Sequence, residues 1–232
     1  MTESRSPAPL GLPFADHVSA SPISADAAAS IYDAHHAYIS TLPEVNIQHH
    51  GLYFQGQLVG AITYRTPLGT RKLFFDENDQ LLPRPQSEHD IDGLPAPLQS
   101  TARVIVPEVA EDAIARTDVV GGRSIVEVAR ICLGVEMPNL ASAALAASQE
   151  RFVEHTCSDD IDYLLTFVRA DYTASMIRAL RDKSWTSTGW PEPSQAGNRD
   201  DTQLRDRHKW RFLCPVERVH TQAGLSEWTD AG

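Results

Sequence analysis

SIVEVARICLGVEMPNLASAALAASQERFVE, residues 124–154, holds two periodicities in succession. Residues 124–133 are rich in β-branched and apolar side chains, which predicts a strand. Pro138 interrupts the run, and Asn139-Leu140-Ala141-Ser142 opens an alanine-rich helix to about Glu154. YLLTFV at 163–168 predicts a second strand. Thr173 is placed to cap the helix ASMIRALRDKS, with Met176, Ile177 and Leu180 on one side, and WRFLCPV at 210–216 predicts a last strand. Strands alternating with helices specify an α/β (α+β) fold, a mixed twisted sheet with helices on both faces.

Upstream, Ser24 is placed to cap a helix to about Ile39 whose stripe is Ala28, Ile31, Tyr32, His35 and Ile39. LYF at 52–54 and QLVGAITYR at 57–65 form a hairpin around Gln55-Gly56-Gln57. Residues 1–22, with four prolines and few periodic apolar positions, read as a flexible arm. Residues 23–220 read as one domain and 221–232 as a tail. From about 66 to 122 six prolines break the pattern, so this segment reads as a long irregular excursion in which ARVIVP supplies a short strand.

The 232 residues suffice for one well-buried core, and no run approaches the roughly 18 apolar residues of a membrane span. The N-terminal sequence lacks a basic start followed by an apolar core, so a cytoplasmic protein with no membrane partner is expected. Cys132, Cys157 and Cys214 stand apart and form no C-x-x-C pair, which argues for reduced thiols and no zinc site. The net charge of −11 disfavours nonspecific attraction to nucleic acid. Arg205, Arg207, Lys209 and Arg211 beside Trp210 are either a local basic surface or ordinary solvated charge, diluted by Asp200, Asp201 and Asp206.

The order strand, turn, helix, strand, helix, strand over VEVARICLGVEMPNLAS, YLLTFVRAD and TASMIRALRDKSWTSTGW resembles the latter half of the GNAT acyltransferase fold. More narrowly it resembles the Mom-like branch, phage proteins that modify the exocyclic amine of adenine in DNA. The resemblance covers about 170 residues, is patchy through 66–122, and extends to the early hairpin LYFQGQLVGAITY. It implies a central splay between two strands and acetyl-CoA or a related acyl-CoA as cofactor. It places Arg130, Asn139 and Ser142 on the cofactor side, with the amides of Leu140, Ala141, Ser142 and Ala143 facing a pyrophosphate. The chain departs from the family in having no glycine-rich pyrophosphate turn, and Met176-Ile177-Arg178 where members carry a tyrosine.

On the acceptor side, Asp171 just past the second strand either accepts a proton or caps the following helix. His36 resembles a first-helix histidine of the family. Neighbouring side chains point about 100° apart, so at most one of His35 and His36 enters a small site, with packed or solvated roles as the alternative. Tyr172 offers a nearby hydroxyl, Glu127 and Arg178 are candidate substrate contacts, and Trp185, Trp190 and Trp210 are candidate surfaces for stacking on an extruded base. His49 and His50 are weaker candidates. Three functions stay open: acyl-CoA-dependent modification of the N6 amine of adenine in DNA, N-acetylation of a small molecule or peptide, and a binding domain without catalysis.

Overall fold

The structure, a computed structural model, describes residues 14–35, 46–67, 69–85, 90–106, 108–122, 124–156, 160–170, 174–183, 185–190, 209–217 and 219. Its strands are β1 (Val18–Pro22), β2 (Asn46–Phe54), β3 (Gln57–Arg65), β4 (Arg71–Phe75), β5 (Leu81–Leu82), β6 (Arg116–Val120), β7 (Ile125–Leu133), β8 (Tyr163–Arg169), β9 (Thr186–Ser187) and β10 (Lys209–Pro215). The helices are α1 (Ala25–His35), α2 (Ala96–Ile105), α3 (Leu140–His155) and α4 (Ala174–Asp182).

Seven strands form one mixed sheet in the order β1-β2-β3-β7-β8-β10-β9. Every neighbouring pair is antiparallel except β7 and β8, which α3 joins as a parallel pair. The pleat sorts side chains to two faces. Ile62 and Tyr64 of β3, Val126 and Val128 of β7, Leu164 and Val168 of β8, and Trp210 and Phe212 of β10 join the main core with Leu145 and Phe152 of α3 and Leu180 of α4. The opposite face carries α1, through Ala28 and Tyr32 against Ala61 and Cys132. Helices thus cover both faces.

The expected hairpin forms. Gln55 and Gly56 both take positive φ (50° and 76°), as a two-residue turn between twisted strands requires. Ser24 caps α1 by accepting the Ala27 amide at 3.2 Å. Three expectations need correction. Residues 18–22 are not part of a loose arm: they form β1, paired with β2 from Val18↔Phe54 to Pro22↔His50, while Phe14 stacks on Phe54. Segment 66–122 is more regular than its prolines suggest. It folds into a three-stranded sheet, β5-β4-β6, whose Leu73, Phe75 and Leu81 bury against Ile125, Leu165 and Leu213 of the main sheet. The stretch ARVIVP is not a strand. Its first residues close α2, where Pro97 sits in the first turn and Leu98, Ala102 and Ile105 repeat at helical spacing against the main core.

Candidate active site

β7 and β8 pair only from Ile125↔Tyr163 to Val128↔Thr166. Beyond that point β7 continues to Leu133 on its β3 side, and β8 continues to Arg169 on its β10 side. The parting has a local cause. Against β3, Thr63 stands opposite Arg130 and Tyr64 opposite Val128, so Ala129 is an extra residue, a bulge that bends β7. Thr166 Oγ1 donates to the Val128 carbonyl at 3.0 Å, at the last paired position. Past the bulge, β7 and β8 part at the carboxyl ends of this parallel pair, the position where open sheets expose a crevice.

The turn after β7 delivers α3 to this parting. Asn139 enters the helix in the left-handed region (φ 64°), and its side chain makes no capping hydrogen bond. The Leu140 amide donates to the Met137 carbonyl and the Ala143 amide to the Asn139 carbonyl, so two of the four expected anion donors are satisfied internally. Ala141 and Ser142 keep outward amides, with Ser142 half-buried and no acidic residue in the first turn. The two amides and the helix dipole suit this terminus to a diphosphate. Arg130 is not part of that set. Beyond the bulge it faces α1, its guanidinium 5.6 Å from the centroid of the Tyr32 ring.

On the α1 face, Thr63 Oγ1 bonds both Tyr32 OH (2.8 Å) and His49 Nδ1 (2.9 Å). Burial raises the Tyr32 phenol well above its ordinary range, opposed by the Thr63 hydrogen bond and the Arg130 charge. Burial also lowers the His49 pKa. Glu127, 5% exposed and two residues before the bulge, accepts a 2.8 Å bond from Arg65 Nη2. His35 ends α1 exposed, with its ring so close to Gly134 that any Cβ there would crowd it.

The opposite face is closed. His50 Nδ1 and Tyr64 OH both bond Ser148 Oγ of α3, at 3.0 and 2.8 Å, and Tyr64 stacks on Phe152. The His50 ring is wholly buried and its Nε2 has no partner. Desolvation lowers its pKa to about 4, the Ser148 bond opposing and the Arg151 and His49 charges adding to the effect. This cluster is a buried core element without access to a substrate.

The sequence candidates separate accordingly. Glu127 and His35 lie around β7. Trp185, Trp190 and Trp210 are 4%, 7% and 0% exposed, and Trp190 meets Trp210 edge to face. Their indoles belong to the core, so they present no surface for an extruded base. Arg178 lines an open groove of about 650 Å³ between α2 and α4. His36, Asp171, Tyr172, Thr173, Cys157, Arg205 and Arg207 lie outside the described residues. Among the described residues no group of His, Cys, Asp or Glu is arranged to hold a metal ion, and no helix is long and apolar enough to cross a membrane. The sequence does not single out Thr63, Arg65 or Arg71, and it reads Arg211 as basic surface or solvated charge, whereas that side chain is buried at 8% exposure; the pleat puts Thr63 and Arg65 on the Glu127 face, and the sheet order brings Arg71 and Arg211 there.

No protein-family model matches the sequence and no curated protein matches it. Several solved structures are similar in part. A probable GNAT-family acetyltransferase from Chromobacterium violaceum superposes with a TM-score of 0.46 at 11% identity, over 89% of this chain and 94% of that one. The putative acetyltransferase yncA from Salmonella typhimurium, with acetyl-CoA, gives 0.44 at 10% identity, over 86% and 94%. Arabidopsis thaliana NAA60 in complex with acetyl-CoA gives 0.44 at 12% identity, over 86% and 99%. Against a RimL ribosomal L7/L12 α-N-protein acetyltransferase with coenzyme A, the chain spans 64% of that protein's length.

Proposed function

We propose that this chain transfers an acyl group from a CoA thioester to the amine of a small molecule or peptide, with the reacting atoms at the β7–β8 splay. The observation that carries this reading is the parting of the two parallel strands at the Ala129 bulge, beside a 16-residue helix whose first turn keeps two outward amides. CoA, when bound, would supply an activated carbonyl and a thiolate leaving group. The Ala141 and Ser142 amides would hold its diphosphate, and the open edge of β7 past the bulge would line its extended arm. Glu127, fixed by Arg65, orients the acceptor or a water beside it. Asp171, following β8 in sequence, and His36, following α1, are the proposed proton acceptors, with Tyr172 a hydroxyl near them.

The narrower reading, transfer to the N6 amine of adenine in DNA, rests on the sequence resemblance. It ranks second because the three tryptophans expected to stack on a base are buried. A domain that binds CoA without turnover ranks third. Thiol release from acetyl-CoA against a panel of amines, together with mass analysis of nucleosides from DNA coexpressed with the protein, orders the three. The expected result is amine-dependent thiol release and unmodified DNA. Modified adenine would promote the second reading, CoA binding without thiol release the third, and neither binding nor release would end all of them.

A further inference from the structure

On the α1 face of the splay the sheet gathers more positive charge than the described acidic groups balance. Arg65 of β3 stands in register with Glu127 of β7 and bridges it. Phe167, the first β8 residue beyond the last β7–β8 pair, stands in register with Arg211 of β10. Arg71, reaching from β4 of the small sheet, lays its guanidinium over the Phe167 ring, 5.9 Å from the centroid. Arg211 is 8% exposed, yet among the described residues its side chain donates only to Thr188, from Nε to Oγ1 at 2.8 Å and from Nη2 to the carbonyl at 2.9 Å. Arg71 donates from Nη1 to the Thr70 carbonyl, and the Nε atoms of Arg65 and Arg71 are buried without partners.

Among the described residues, Glu127 is the one carboxylate that pairs with any of these three guanidiniums. The charges that act on Arg71 are those of Glu127 and Arg65, and those that act on Arg211 are Arg71 and Arg84. Burial lowers the pKa of Arg71 and brings that of Arg211 down to about 10, so both charges are held at a cost in desolvation. Arg71 and Arg211 at Phe167, with Arg65 beside them and Arg84 also acting on Arg211, outnumber the one described carboxylate and make a site that a second anion would balance.

We propose that Arg71, with Arg65 and Arg211 behind it, binds an anionic group of the acceptor, so that the amine substrate also carries a carboxylate or a phosphate. The proposal rests on the placement of acyl transfer at the splay. Carboxylate and phosphate present the same paired oxygens to a guanidinium fork, and the Phe167 ring supplies an apolar wall beside them. A neutral amine leaves the excess charge unbalanced and is the poorer substrate. Glu127 already pairs with Arg65, so the half-buried Arg71, which pairs with no described carboxylate, is the guanidinium left for a second anion.

The test uses full-length protein and matched amines: glycine against glycinamide, and phosphoethanolamine against ethanolamine, each assayed by thiol release from acetyl-CoA. Wild type should favour the anionic member, and the pair with the larger ratio identifies carboxylate or phosphate. Arg71→Gln should raise KM for the anionic amines roughly 10- to 100-fold, the weight of a charge-assisted bond, and leave the neutral ones unchanged. Arg103→Gln, at an exposed pair with Asp92 on α2, should change neither. Calorimetric titration with inorganic phosphate and with acetate, at constant ionic strength and without acyl-CoA, reads the anion site independently of turnover. Anion binding that Arg71→Gln abolishes, with no amine consumed, supports the site and removes the transferase reading. Turnover with no anionic preference, or equal loss on neutral and anionic amines, overturns the anion site and leaves the transferase reading standing.

Discussion

His50 should make the protein acid-labile in a way one substitution removes. The ring is wholly buried between Tyr64, Ser148 and Phe152, and its unpartnered Nε2 is where a second proton would have to go. Its folded pKa is about 4 against an ordinary 6.5, so between these values the unfolded chain binds a proton that the folded chain refuses. The contribution is fully present above pH 6.5 and is lost progressively as pH falls towards 4. Integrated over that window it amounts to about 3 kcal/mol, or roughly 6–12 °C in Tm for a chain of this size. Urea unfolding at intervals from pH 7.5 to 4 should show stability falling with acid in wild type. In His50→Gln the curve should be lower at neutral pH, by about 1–3 kcal/mol for the lost Ser148 bond, and correspondingly flatter. Carboxylates titrate in both proteins, so the difference between the two curves isolates the imidazole. Parallel curves would falsify the argument.

Four further outcomes follow from single contacts. Gly60→Ala should be destabilising by roughly 2–4 kcal/mol, read by urea unfolding, because a Cβ there would meet the Cys132 carbonyl oxygen across the β3–β7 ladder. Gln55→Asn should raise stability by about 0.5–1 kcal/mol in the same assay, since Asn tolerates the left-handed backbone that Gln55 adopts in the hairpin turn. Arg65→Met should cost about 2–4 kcal/mol by stranding the buried Glu127 carboxylate, and Arg65→Met with Glu127→Gln should recover part of the loss, measured as a double-mutant cycle. Ser142→Glu should weaken CoA binding at least tenfold by calorimetry, by placing a like charge among the two open amides of α3; unchanged affinity would move the diphosphate elsewhere.

Local periodicity alone determined much of this protein. The Ile125–Leu133 strand, the alanine-rich α3, the Tyr163–Arg169 strand and the Gln55-Gly56 turn each follow from side-chain spacing or backbone chemistry within a few residues, and with them the mixed sheet. Where two local signals competed, tertiary burial chose between them. The β-branched ARVIVP lies partly in α2 because Leu98, Ala102 and Ile105 reach the main core from a helix, and the proline-rich 66–122 orders into a small sheet because Leu73, Phe75 and Leu81 find Ile125, Leu165 and Leu213. The three tryptophans illustrate the limit of composition: their indoles read as stacking surfaces, and packing turned all three inward. The splay had no sequence signature beyond resemblance, because a bulge at Ala129 is a mismatch between two strands and exists only once β3 and β7 are paired. The same holds for the guanidinium cluster. Arg65, Arg71 and Arg211 are distant in the chain, and three different strands had to be assembled, in one order and one register, before their charges shared a face with Glu127.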